Sequence, residues 1–241
     1  MLKATSLAFA LFALIPLSYA YADAPKETIY RHYKEQYSRV TAAGSIEPPQ
    51  GQLKDQLDAL KQRALSGDAN AAAAIYAGLG GCSTLRGSGD VAQFEMSCHG
   101  ITKDDTAEEG KWLALAAELG NRDAQYNFAA GGLSLLVGSS FTAIKHPEAV
   151  QAYRARSKQY LEVLASQCNA SAIATIVQDA GGGGLLYGDQ PEHAYKYRVV
   201  LNTISKIPDD AEEKRFEADV DPTKLFGLRR EALSFVETNC K

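Results

Sequence analysis

Cys98 and His99 stand side by side, a thiol next to an imidazole, and this is the one neighbour pair in the sequence that could place a nucleophile beside a base. Adjacent residues usually point their side chains apart, and a reactive thiolate needs a specific electropositive site. Cys98 also has a competing disulfide partner in Cys82. The other histidines, His32, His146 and His193, are scattered. No His-Glu-x-x-His, Gly-x-Ser-x-Gly, Ser-x-x-Lys or Cys-x-x-Cys occurs. Gly181-Gly182-Gly183-Gly184 could cradle a phosphate, but it lacks the Lys-Ser/Thr that should follow and reads as a flexible turn. Asp209-Asp210-Ala211-Glu212-Glu213 lacks the alternate ligands and central glycine of a calcium loop and reads as a helix N-terminus. The expectation is no catalytic residue, no metal set and no cofactor, hence a non-enzymatic protein.

The four cysteines, Cys82, Cys98, Cys168 and Cys240, allow three pairings. Cys82–Cys98 is favoured because the two are near in sequence and flank one segment, and Cys168–Cys240 then follows. Two disulfides imply an oxidising compartment. The N-terminus agrees: Lys3 opens a positive region, Leu7 to Leu17 is apolar except for Pro16, and small residues end at Ala22 and Ala24. The apolar run is shorter than the roughly 20 residues that cross a bilayer. Residues 1–24 are therefore expected to be a cleavable signal, with no stable membrane insertion afterwards and a periplasmic or secreted destination. Losing Lys3 and Asp23 with it leaves the net charge at −4. That balance provides no basic footprint for nucleic acid.

The elements that would position these residues are helical. Tyr30, Tyr33, Tyr37 and Val40 recur at helical spacing, as do Leu53, Leu57, Leu60 and Ala64. Gly44 and Pro48-Pro49 separate the two sets. The tyrosine row is expected to pack as a cap. No strand shows period-two alternation between hairpin turns, so the fold class is all-α.

Three segments are self-similar: Gly67-Asp68-Ala69-Asn70-Ala71, Gly120-Asn121-Arg122-Asp123-Ala124 and Cys168-Asn169-Ala170-Ser171-Ala172. Each ends one helix and caps the next, with Ala71, Ala124 and Ala172 in equivalent places. Gly78, Gly131 and Gly181 would break the first helix of each pair. Second helices would run over about 106–119, 147–165 and 191–206, with Pro147 and Pro191 in the first turn of the latter two.

The stretch from Ala107 through Gly110-Lys111-Trp112 and Ala116-Ala117-Glu118-Leu119-Gly120 resembles the end of a Sel-one-like repeat, a relative of the tetratricopeptide repeat. Asp123-Ala124-Gln125-Tyr126-Asn127 completes the pattern, and Glu192-His193-Ala194-Tyr195-Lys196-Tyr197 is similar to the same second helix. The resemblance implies an α/α solenoid of about three irregular helix pairs over residues 57–206. A cap and linker would occupy 25–56, and capping helices 207–241. Trp112 would be a core residue. Loops inserted at 79–103 and 132–146 would lengthen the units beyond the family's usual period. The first of these, turn-rich from Gly80 to Asp90 and braced by Cys82–Cys98, is a candidate binding loop.

Such proteins hold other proteins, so the resemblance implies a protein–protein interaction module: an adaptor, an envelope regulator or a toxin-neutralising immunity partner. The alternative is a secreted small-ligand binder or a hydrolase of the β-lactam-interacting, cysteine-rich repeat type. Those carry a cysteine pair in each repeat, which this chain does not.

Overall fold

A computed structural model describes residues 37–137, 145–205 and 209–241. The expected signal segment 1–24 and the tyrosines Tyr30 and Tyr33 lie outside them. The described residues form eleven helices and no strand. These are α1 Leu53–Leu65, α2 Ala69–Ser88, α3 Val91–Cys98, α4 Lys103–Ala107, α5 Glu109–Glu118 and α6 Arg122–Val137, then α7 Pro147–Ser166, α8 Ala170–Gly181, α9 Pro191–Ile204, α10 Asp210–Ala218 and α11 Pro222–Asn239. The all-α expectation is met, and none of these helices is long and apolar enough to cross a membrane.

Each helix buries the residues its spacing aligns. Leu53, Leu57, Leu60 and Ala64 face inward from α1, and Ala172, Ile173, Ile176, Val177 and Ala180 from α8. Leu57, Ile75, Leu113, Leu161 and Ile173 are almost fully buried, and each such side chain contributes about 2 kcal/mol. Trp112 is buried as well. The helices pack largely in chain order: α1 on α2, α2 on α5, α5 on α6, α6 on α7, α7 on α8, α8 on α9 and α9 on α11.

The three self-similar turns have one geometry. Asp68, Asn121 and Asn169 each accept, on a side-chain oxygen, the amide three residues on: Ala71 at 3.0 Å, Ala124 at 2.8 Å and Ala172 at 3.0 Å. The amides of Asp68, Asn121 and Asn169 donate back to the carbonyls of Arg63, Ala116 and Leu164, closing the preceding helix. The residue before each cap is left-handed, with φ of 103° at Gly67, 93° at Gly120 and 57° at Cys168. Ala71, Ala124 and Ala172 are all buried.

Both favoured disulfides are present, Cys82–Cys98 and Cys168–Cys240. The first joins α2 to the end of α3, and the second ties the end of α11 to the turn before α8. Two such bridges point to an oxidising, extracytoplasmic environment.

Several expectations are corrected. Gly78 does not break α2, which runs on to Ser88 and ends at Gly89, left-handed with φ of 75°. A mid-helix glycine costs about 1 kcal/mol against alanine. Here its bare Cα admits Leu53, whose Cδ1 lies 2.8 Å from where a Cβ would stand, so packing outweighs propensity. The insert at 79–103 is consequently the last turns of α2 together with α3, rather than a loop. Gly131 likewise lies inside α6, and residues 138–144 of the second insert fall outside the described residues. The helix expected over 106–119 is two, α4 and α5, meeting at Glu108, with Thr102 and Asp105 forming a capping box at the start of α4. Tyr37 and Val40 belong to a turn, not a helix, with the Val40 amide donating to the Tyr37 carbonyl. α1 begins at Leu53, so the boundary drawn at 56/57 falls within it.

Candidate binding face

Residues 37–52 form a strap across the helices, a turn at 37–40 followed by an extended run over 41–49. Along it Tyr37, Val40, Ala43, Ile46, Pro49 and Gln52 are half-buried and every residue between them is exposed. A three-residue period is that of polyproline II, which suits a stretch with Pro48-Pro49 and no helical hydrogen bonding. The strap starts at the second disulfide: the Arg39 amide donates to the Cys240 carbonyl, and the Thr41 amide to the Cys168 carbonyl. The Ala170 amide returns a bond to the Thr41 carbonyl at 2.7 Å. The Ala43 amide then reaches Ser171 Oγ at 3.0 Å, at the start of α8, and the Gly44 amide reaches Asp123 Oδ1 at 2.7 Å, at the start of α6. Ile46 packs on the core, Pro49 sits over Gly78 of α2, and Gln52 Nε2 donates to the Glu95 carbonyl of α3. The strap therefore visits, in turn, the helices that follow the three similar turns.

Two clefts flank it. One, of about 590 Å³, lies between Pro48-Pro49 of the strap, Gly81 and Leu85 of α2, and Gln93 and Ser97 of α3. The other, of about 400 Å³, lies between Ser45-Ile46, Tyr76, Thr84, Glu109 and Asn127. They meet at Gly81, where an added Cβ would find no atom within 4 Å.

Glu109 is half-buried in the smaller cleft and, among the described residues, makes no hydrogen bond or ion pair. Its neighbour Glu108 takes Lys111 instead, at 3.2 Å. The absent side chain of Gly80 makes the room for it: a Cβ there would stand 2.7 Å from Glu109 Oε1. Burial raises the Glu109 carboxyl above its ordinary value. Burial, and then the Glu109 charge, raise the Tyr76 phenol. Gly80 and Gly81 of the first insert thus border the clefts, although as part of a helix.

Cys98 is bonded to Cys82, while His99 Nδ1 lies 2.7 Å from Glu95 Oε2 on the exposed side of α3, so thiol and imidazole are not a working pair. The glycine run is a turn after α8 whose neighbouring amides are already engaged: Asp179 accepts those of Leu186 and Tyr187 at 3.2 and 2.6 Å. Asp209 caps α10, accepting the Glu212 amide at 3.0 Å. Among the described residues no group of three His, Cys, Asp or Glu side chains is placed to hold a metal ion.

One cluster carries no sequence signal. Glu162 of α7 accepts from the hydroxyls of Tyr187 at 2.9 Å and Tyr197 at 2.7 Å. His193 Nε2 stands 3.3 Å from Glu162 Oε1, an ion-pair distance without the angle of a hydrogen bond, and its ring stacks on Tyr187. Burial opposes the charge on Glu162, but the facing His193 and the hydroxyls of Tyr197 and Tyr187 outweigh it and hold the carboxyl below its usual range. Burial first, then Glu162, drive both phenols far up, so they act as fixed donors rather than acids. The cluster locks α7, the turn after α8 and α9 together. Only the i, i+4 pair His193 and Tyr197 was adjacent on one helix face in the sequence.

No family model, no curated protein and no solved structure matches this chain.

Proposed function

We propose that this protein is an exported, non-enzymatic protein-binding module of the Sel-one-like type, and that it receives an extended segment of a partner along the strap face. The observation that carries the reading is the strap itself: the helix array already seats sixteen residues of its own chain, residues 37–52, nine of them (41–49) extended, through every third side chain and a series of backbone bonds. The neighbouring clefts extend that seat beyond what the strap fills.

The repeat assignment is supported by the three equivalent cap turns and by packing in chain order, which is how stacked helix pairs build a solenoid. Export to the periplasm is supported by the two disulfides together with the apolar N-terminal segment. Within this class the protein would serve as adaptor, envelope regulator or immunity partner. A toxin-like neighbouring gene, with tight 1:1 binding and protection of cells, would single out the last.

A photo-crosslinking residue at exposed position 84 in the cleft, compared with one at position 226 on α11, tests the reading in intact cells. One protein adduct specific to position 84 is expected. Identical adducts from both positions, or none from position 84, count against it.

The volume of the larger cleft favours a second reading as a small-ligand site, since such sites typically enclose about 300–1,000 Å³. Hydrolysis there could not use Cys98, which is held in a disulfide. Turnover of a chromogenic β-lactam that survives His99→Ala would require groups other than the Cys98-His99 pair, and saturable ligand binding without turnover would favour a binder.

A further inference from the structure

We propose that the cleft at Glu109 takes the cationic side chain, lysine or arginine, of the partner segment that lies along the strap. The inference rests on the protein-binding reading and specifies the partner's chemistry. A half-buried carboxylate is costly unless something pairs with it. Other carboxylates along this face are engaged: Asp123 holds the Gly44 amide, and Glu108 holds Lys111. Glu109 has no such partner among the described residues, and no lysine or arginine lines its cleft. The polar residues lining its cleft are neutral, namely Asn127, Thr84, Ser45 and Tyr76. Those groups can share the remaining N–H donors of a guanidinium or ammonium whose charge meets the carboxylate. Ile46 and Ala77 offer an apolar wall for the alkyl stem. Gly80 leaves the carboxylate accessible and Gly81 leaves the mouth open.

Two measurements on the protein lacking residues 1–24 test this. The first uses n-propylguanidinium as probe and 1-butanol as neutral control, following glutamate carboxyl carbons by NMR. Propylguanidinium should lower the apparent pKa of the carboxyl that is missing from Glu109→Gln, and butanol should leave it unmoved. The second pans a displayed library of random twelve-residue peptides on the wild type. Selected peptides should share one Lys or Arg, bind Glu109→Gln at least about tenfold more weakly, and bind Asn127→Asp more tightly, because a second carboxylate adds attraction. Thermal melts establish that both variants are folded. Peptides without a shared basic residue, or binding equally well to Glu109→Gln, overturn the cation site and leave the protein-binding reading standing. Failure to select any peptide, with the Glu109 carboxyl still responding to propylguanidinium, supports the cation site and overturns the reading beneath it. No response to propylguanidinium overturns the cation site on its own.

Discussion

The main-chain amide of Gly44 donates to Asp123 Oδ1 at 2.7 Å, although the two residues are 79 apart in the chain. That bond pins the middle of the strap to the first turn of α6. Gly44 suits the place, since a Cβ there would stand 3.2 Å from Asp123 Oδ2.

Asp123→Ala should therefore loosen the strap without unfolding the helices. A hydrogen bond at an exposed position contributes about 1 kcal/mol. Hydrogen exchange read by mass spectrometry should speed up over residues 41–46, by about fivefold, while α7 and α8 keep their protection. Unchanged exchange in the strap would show that the Asp123 contact does not hold it.

Cys168 takes a left-handed φ of 57° at the place where the two similar turns have glycine, and it is also bonded to Cys240 across 72 residues. Removing the bridge as Cys168→Ser with Cys240→Ser should lose roughly 4 kcal/mol. Pairing Cys240→Ser with Cys168→Gly instead should recover about 1 kcal/mol of that loss, because glycine meets no Cβ penalty in this conformation. Denaturant melts of the two double variants make the comparison. If the glycine version is the less stable one, backbone conformation does not limit this turn.

Gly110 lies where α5 packs tightly on α6, and a Cβ on it would stand 2.5 Å from the Leu135 carbonyl oxygen. That neighbour is backbone and cannot swing aside. Gly110→Ala should cost about 2–3 kcal/mol by forcing the helices apart, even though alanine is the better helix former. Gly81→Ala, with open space around it, should be neutral or slightly stabilising. Equal melting temperatures for the two variants would contradict the close approach.

Burial raises the Glu109 carboxyl above its unfolded value of 4.5. A group raised in the folded state supports stability below its unfolded pKa, and that support is lost as pH rises through its folded pKa. Glu109→Gln cannot ionise and escapes the loss. It should melt above the wild type at pH 7 and alongside it below pH 4. A variant that melts lower at pH 7 would mean that the carboxylate has a stabilising partner in the folded protein.

Local patterning determined much of this protein before any fold was known. Helical spacing marked Leu53, Leu57, Leu60 and Ala64 as one buried face, Pro147 and Pro191 opened helices, and Asp68, Asn121 and Asn169 capped them. The disulfide pairing also followed, from the nearness of Cys82 to Cys98. These features rest on interactions reaching three or four residues, or on two cysteines 16 residues apart, and such nearness is written in the sequence. Tertiary structure decided the rest. Gly78 and Gly131 read as helix breaks because propensity is local, yet α2 and α6 pass through them, and at Gly78 the packing of Leu53 offsets the cost. The strap is invisible in the sequence, because its bonds cross 79 residues to Asp123 and 128 to Ser171. Glu109 looks like any solvated helix carboxylate until α2, α6 and the strap close around it. No offset along the chain encodes that burial, which arises only when distant segments meet.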